Sequence, residues 1–311
     1  MNFLHLKYAI VVAETGSINK ASEKLFVAQP NVSRAIKELE TELDITIFER
    51  NSKGMTVTPE GEQLLTYGKK LIHEMEEMEA IFKGQKKKNI FSISVPRASY
   101  IASAFVKFSD FLKKIDNAEV YYKETNAYRV INNVLNDDSK LGIIRYAANY
   151  DKYFKDLFDR RELKYELVYE FKYVLAFSKE SVLAKNDEIY YSDLKDFIEI
   201  AHGDPYVPSL PTSELSKFEF SEDISRRIYV FERASQFELL SNNEDTFMWV
   251  SPLEEEILNK YNLVQKHCVD NLKEYKDVMI YRSSYNLSKL DCEFITQLCE
   301  SKRRMEKLNM K

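Results

Sequence analysis

Residues Ala21 to Arg50 read ASEKLFVAQPNVSRAIKELETELDITIFER, and the reading of this stretch decides the fold. Ala21, Leu25, Val27, Val32, Ile36, Leu39 and Leu43 recur at helical spacing and bury one side. Gln29, Asn31, Ser33, Arg34 and Lys37 are left facing out, all of them donor-bearing. A short helix enters a major groove with its N-terminal residues at base edges, where amides and guanidinium groups bond bases or phosphates in fixed geometry. The stretch therefore predicts a helix-turn-helix whose second helix begins near Gln29, with Pro30 in the first turn, where its missing N–H has no helical partner.

Upstream, residues 3–14 form an apolar amphipathic helix that supports this head. Gly16 supplies a left-handed turn after it, and Ser17 caps a second helix running from Ile18 to Leu25. Downstream, Arg50 to Thr56 is a turn between two short extended pieces, Ile45–Phe48 and Thr56–Thr58. It reads as a wing with Arg50 and Lys53 available to phosphate or the minor groove, or else as a solvated hairpin. Thr58 caps a long helix, Pro59 takes its first position, and Glu60 favours the positive end of the dipole. Along Pro59 to Gln85, Leu64, Gly68, Leu71, Met75, Met78 and Phe82 make a heptad-like seam widened by Leu65 and Ile72. Lys86 to Lys88, after Gly84, marks the end of this part.

From Ile90 the pattern alternates between strands and helices, which predicts a mostly parallel sheet with helices on both faces. FSISV, EVYYKE, KLGIIRY, FIEIAH, RRIYVF, TFMWV and KDVMIYR read as strands, as does the region Leu167–Phe177. Ala102–Ile115, Ala127–Leu135, ASQFELL, PLEEEILNKY and the chain from Ser288 onward read as helices, with a capping box expected at Ser251 to Glu254. Ligands of open α/β sheets sit outside the strand carboxyl ends.

At this point the order of blocks becomes specific. Phe3, Leu6, Phe26, ETGSINKASEKL, VAQPNVSRAIKELE, IFER, the wing and TPEGEQLL resemble the N-terminal domain of LysR-type transcriptional regulators. The resemblance is close over residues 1 to about 65 and architectural beyond. Family members often carry Ser or Thr where this chain has Ala28. The resemblance implies an α/β protein with a winged helix-turn-helix DNA-binding domain at 1–58 and a dimerisation helix at 59–88. At 89–311 it implies a two-lobed, periplasmic-binding-protein-like effector domain. Lobe 1 is expected at about 89–163 and 268–311, and lobe 2 at about 164–267. Implied partners are double-stranded DNA with an inverted-repeat operator, a second copy in a homodimer or homotetramer, a small effector, and RNA polymerase.

Composition sets the other bounds. Of 311 residues, 44% are hydrophobic and 31% charged, which describes a globular chain. No apolar run approaches the roughly 20 residues of a membrane helix, and no leader pattern of basic, apolar and small residues opens the chain. Three cysteines make no disulfide framework and fit a reducing cytoplasm. The net charge is −5, yet residues 1–88 hold as many acidic as basic residues, so the excess of acid lies beyond the head. Local geometry must then make the positive surface.

Catalysis finds no footing: GxSxG, GxGxxG, a phosphate-binding loop and HExxH are all absent. His5, His73, His202 and His267 show no paired-ligand spacing, and neither metal nor cofactor is expected. Cys292 and Cys299, seven apart on the last helix, lie on one face too far apart to bridge, so buried or idle thiols are expected. For the effector, Arg97, Ser99, Tyr100 and Ser103 surround the start of a helix, where hydroxyls and free N–H groups hold anions. Ser99 and Ser103 equally serve as plain helix caps. Arg145 ends a strand, Arg233 opens a helix, and the resemblance assigns His202-Gly203-Asp204 to the opposite lobe. An anionic or zwitterionic effector is expected. Only Gly142 and Gly203 lie beyond residue 88, where relatives carry several glycines around the cleft. Three readings stay open: an effector-controlled regulator, a constitutive DNA-binding regulator, and a ligand-binding or enzymatic α/β protein whose N-terminal helices mediate assembly.

Overall fold

The computed structural model describes residues 2–51, 54–82, 88–206 and 224–309. The chain divides into two compact units, Met1–Lys87 and Lys88–Lys311.

The first unit is a winged helix-turn-helix followed by a long helix. Helix α1 (Phe3–Thr15) starts where the Asn2 side chain accepts the Leu4 N–H, and it ends on Gly16 in the left-handed region at φ 64°. Ser17 caps α2 (Ile18–Leu25), and α3 (Gln29–Leu43) follows after Ala28, which offers no side-chain cap. Leu6, Val12, Ala21, Val32 and Leu39 are all fully buried in one cluster. That cluster is the apolar side predicted from the helical spacing.

The wing departs from the expected strands by a few residues. Strand β1 (Phe48–Asn51) pairs antiparallel with β2 (Gly54–Val57), Phe48 opposite Val57 and Asn51 opposite Gly54. Ile45 to Ile47 are instead the exit of α3. The Ile45 N–H bonds the Glu40 carbonyl, and the Glu40 carboxylate accepts from the Ile47 N–H at 2.7 Å and the Phe48 N–H at 3.3 Å. Helix α4 (Pro59–Phe82) begins with the Gly61 N–H donating to Thr58 Oγ1 at 2.9 Å. A Cβ on Gly61 would strike the Ile47 carbonyl, so glycine is needed for this close approach. The seam of α4 divides. Leu65 and Ile72 are buried in the head core, with Leu64 and Met75 packed against it, while Leu71, Met78 and Phe82 are exposed, as is Tyr67 outside the seam.

The second unit is α/β with two five-stranded sheets. The first sheet has the order β4-β3-β5-β12-β6, from β3 (Asn89–Val95), β4 (Ala118–Glu124), β5 (Leu141–Ala147), β6 (Leu163–Lys172) and β12 (Glu274–Arg282). The second has the order β11-β7-β10-β8-β9, from β7 (Val174–Ser178), β8 (Ile198–His202), β9 (Arg226–Val230), β10 (Thr246–Val250) and β11 (Leu263–Lys266). In the first sheet β3 runs parallel to β4 and β5, whereas β12 runs antiparallel to β5 and β6. In the second, β8 runs parallel to β9 and β10, and β7 antiparallel to β10 and β11. The sheets are thus mixed rather than mostly parallel, because strands that cross between lobes arrive without the helical crossover that a parallel neighbour requires. Strand β6 stays on β12 along its length, so the chain leaves the first sheet at Tyr173 and not near residue 164.

Helices cover the first sheet on both faces. Helices α5 (Ser99–Leu112) and α10 (Lys289–Asn309) close a core of Phe91, Phe108 and Phe294, while α6 (Ala127–Leu135) and α7 (Asp151–Arg160) close one of Val130, Phe154 and Phe158. Helix α7 lies in the tyrosine-rich stretch that pattern reading leaves without an element. In the second lobe α8 (Arg233–Asn242) and α9 (Glu255–Lys260) pack with Leu240 and Leu263. The capping box expected at Ser251 does not form. Gln265 bonds both the N–H and the carbonyl of Leu253, and the Glu254 carboxylate accepts from Ser301 Oγ at 2.9 Å, so α9 starts at Glu255. No helix among the described residues is long and apolar enough to cross a membrane.

Candidate nucleic-acid interface and ligand cleft

Helix α3 presents two chemically distinct sides. Val32, Ala35, Ile36 and Leu39 are buried, while Gln29, Pro30, Asn31, Arg34 and Lys37 are exposed and Ser33 is half-buried. No side chain of Gln29, Asn31, Arg34 or Lys37 makes a hydrogen bond or ion pair among the described residues. A row of donors at the N-terminal end of a helix, unused by the fold, is what base-edge and phosphate contacts require. Phe26, in the turn before α3, stands at φ 56° and is 96% exposed. Arg50 lies on β1 at the tip of the wing, and Lys53 lies outside the described residues.

The second unit holds a cavity of about 190 Å³ at the carboxyl ends of β3, β4, β5 and β8. Its wall includes Arg97, Arg145 and His202 from the predicted set, joined by Asn126, Glu199, Asp204, Trp249, Lys273 and several tyrosines. Ser99, Tyr100, Ser103 and Arg233 lie outside the cavity wall. The reason is that the start of α5 turns inward. Ser99 is 3% exposed and accepts from Arg233 Nη2 at 2.9 Å, while Tyr100 is fully buried and donates to Asp277 Oδ2 at 2.6 Å. The expected anion seat at this helix start is occupied by a cation of the chain itself, whose other nitrogen reaches Glu124 at 3.4 Å.

The arginines at this site are paired with carboxylates. Arg145 lies directly across from Asp277 on neighbouring strands and grips it at 2.8 and 2.7 Å, over the Phe171 ring. Arg97, after β3, holds Asp204, after β8, at 2.8 and 3.3 Å, and the Asn126 amide donates to the Asp204 carbonyl at 3.0 Å. Arg227 pairs with Glu199 at 2.6 Å. Burial lifts the Glu199 carboxyl above its ordinary range despite that partner. Burial, followed by the charge of Arg97, brings His202 down to about 4, so its ring is neutral at pH 7. Its Nδ1 is buried without a hydrogen-bond partner among the described residues.

Asp204 falls in the segment that the resemblance assigns to the opposite lobe, whereas Asn126, Glu199, Trp249 and Lys273 are not singled out from sequence. Glu199 carried a usable signal, since an acid in the apolar strand FIEIAH is costly unless a partner or site uses it. Cys268 is buried, and Cys292 and Cys299 are exposed. No cluster of three or more metal-ligating side chains is present among the described residues.

Comparison with known proteins separates the two units. The bacterial regulatory helix-turn-helix of the lysR family matches residues 3–62. The HTH-type transcriptional regulator BenM of Acinetobacter baylyi is 41% identical over 83 residues, 27% of either chain. GltR of Bacillus subtilis is 41% identical over 80 residues, 26% of this chain and 27% of its own. The chain thus aligns with about a quarter of the length of these curated relatives. In fold the likeness runs along nearly the whole chain: full-length LysG from Corynebacterium glutamicum, solved with bound effector Arg, gives a TM-score of 0.61 at 13% identity, covering 97% of this chain and 98% of that one. Full-length CbnR complexed with its target DNA gives 0.61 at 16% identity over 97% and 100%. The head thus carries the lysR-family helix-turn-helix at residues 3–62, and the chain as a whole shares the fold of these full-length regulators.

Proposed function

We propose that the protein is a cytoplasmic, sequence-specific DNA-binding transcription regulator, with the cavity of its second unit as an effector site. The observation that carries this reading is the exposed, unpaired donor row of α3. Gln29, Asn31, Ser33 and Arg34 read or grip the major groove, Pro30 sets the start of the helix, Lys37 holds phosphate, and Arg50 and Lys53 reach the backbone or minor groove. The exposed stripe Tyr67, Leu71, Met78 and Phe82 supports pairing of two chains through α4, and further pairing to a tetramer. Two heads suit a two-fold operator. The role is binding rather than turnover, with RNA polymerase as a further partner.

Selection of bound sequences from a random pool, repeated across a salt series, tests this. Enrichment of an inverted repeat with affinity falling as salt rises is expected. A pool that stays flat at every salt concentration, for both the full chain and its Arg34→Ala variant, would overturn the reading.

A further inference from the structure

Two buried guanidinium–carboxylate pairs face the cavity, and they are built differently. Arg145 and Asp277 sit opposite one another on hydrogen-bonded strands, with Asp277 wholly buried and also bonded by Tyr100. That pair belongs to the sheet. Arg97 and Asp204 sit on loops after β3 and β8, one from each lobe, and their side chains keep 10% and 15% exposure. This pair belongs to the cleft. Gly203, next to Asp204, packs so close to the Phe231 ring that a Cβ there would meet it.

We propose that Asp204 is a tethered stand-in for the effector's anionic group, and that a carboxylate-bearing effector binds by replacing Asp204 on Arg97. The proposal rests on the reading of the cavity as the effector site and names its ligand class. A guanidinium deprived of its carboxylate in a half-dry site is costly, so a ligand that displaces Asp204 must bring an anion of its own. A planar two-oxygen group reproduces the two-point grip of Asp204, which a neutral amide cannot. Arg145 is committed to Asp277 and Arg233 to Ser99 and Glu124, which leaves Lys273 as the other cavity-lining cation beside Arg97. Exchange also removes the ion pair that joins the lobes, so occupancy and release of that contact are one event.

Trp249 is the single tryptophan of the chain and lines the cavity, so its fluorescence reports occupancy in the full-length protein. Phenylacetate and phenylacetamide share a shape suited to an aromatic wall and differ in one charge. Titrated into wild type, the acid should bind more tightly than the amide, and Arg97→Gln should erase the difference. Asp204→Asn removes the internal competitor and should tighten the acid by about tenfold while leaving the amide unmoved. Equal binding of acid and amide by wild type, or an Asp204→Asn protein with no gain for the acid, overturns the exchange. Should Asp204→Asn fail to fold, the comparison of wild type with Arg97→Gln decides alone. Amide binding that matches acid binding and ignores both substitutions sinks the exchange but keeps the effector site. Silence of Trp249 toward both probes in all three proteins sinks both.

Discussion

The two units handle polar side chains in opposite ways. On α3, Gln29, Asn31, Arg34 and Lys37 stand in solvent without a partner among the described residues. Around the cavity, Arg97, Arg145, Arg227 and Arg233 each hold a carboxylate of the same chain. A cation left free in water costs the fold nothing and is ready for an external phosphate, whereas a cation taken out of water must be matched at once. The difference teaches where mutation will be felt as lost stability and where as lost binding.

The largest effect is expected at the buried end of this contrast. Asp277→Ala strands Arg145 and removes the acceptor of Tyr100, and should lower unfolding free energy by about 3–5 kcal/mol in denaturant titration. A loss near that for an exposed pair, below about 1 kcal/mol, would erase the distinction.

His202 sharpens it through pH. Burial and the charge of Arg97 hold its ring at about 4 against 6.5 for the free group, so the unfolded chain binds the extra proton between those values. The stability held this way is full above about 6.5 and lost as pH falls toward 4, with up to about 3 kcal/mol at stake. Glu124 and Glu199, both raised by burial, act in the opposite sense. The readout is therefore the difference between wild type and His202→Gln melts from pH 7 to 4, which should shrink as pH falls.

At the exposed end, Gln29→Ala and Arg34→Ala should each weaken operator binding by about 1–3 kcal/mol, while their melts stay within about 0.5 kcal/mol of wild type. Operator affinity unchanged in both variants would remove α3 from the interface. Lys37→Ala should do less: it should weaken all sequences alike and lower the salt slope by about one. Thiol labelling is the mildest probe. Cys292 and Cys299 should react quickly in the native protein, and Cys268 slowly, since it is buried and burial, with Asp270 beside it, pushes its thiol up to about 12.

Legibility follows the same division. The head could be read residue by residue because its signals are local: Gly16 and Ser17 between helices, Pro30 in the first turn of α3, and Thr58 ahead of Pro59. The wing strand was displaced because the Glu40 carboxylate, seven and eight residues upstream, collects the Ile47 and Phe48 N–H groups. Helix α7 was missed although Phe154 and Phe158, four apart and fully buried, carry its pattern among conspicuous tyrosines. Ser99 looked like an anion seat because Arg233, its partner, lies 134 residues away. Arg97, Arg145 and His202 could be found from strand ends, but their pairing with Asp277 and Asp204 exists only in the folded sheets.

The stripe on α4 reaches beyond binding geometry to the dose of the protein in a cell. On the proposed pairing of two chains through Tyr67, Leu71, Met78 and Phe82, the paired reader forms in proportion to the square of chain concentration while the protein is dilute. Halving the supply then leaves about a quarter of the readers. On that proposal, modest changes in synthesis would become steep changes in promoter occupancy, before any small molecule enters the cleft.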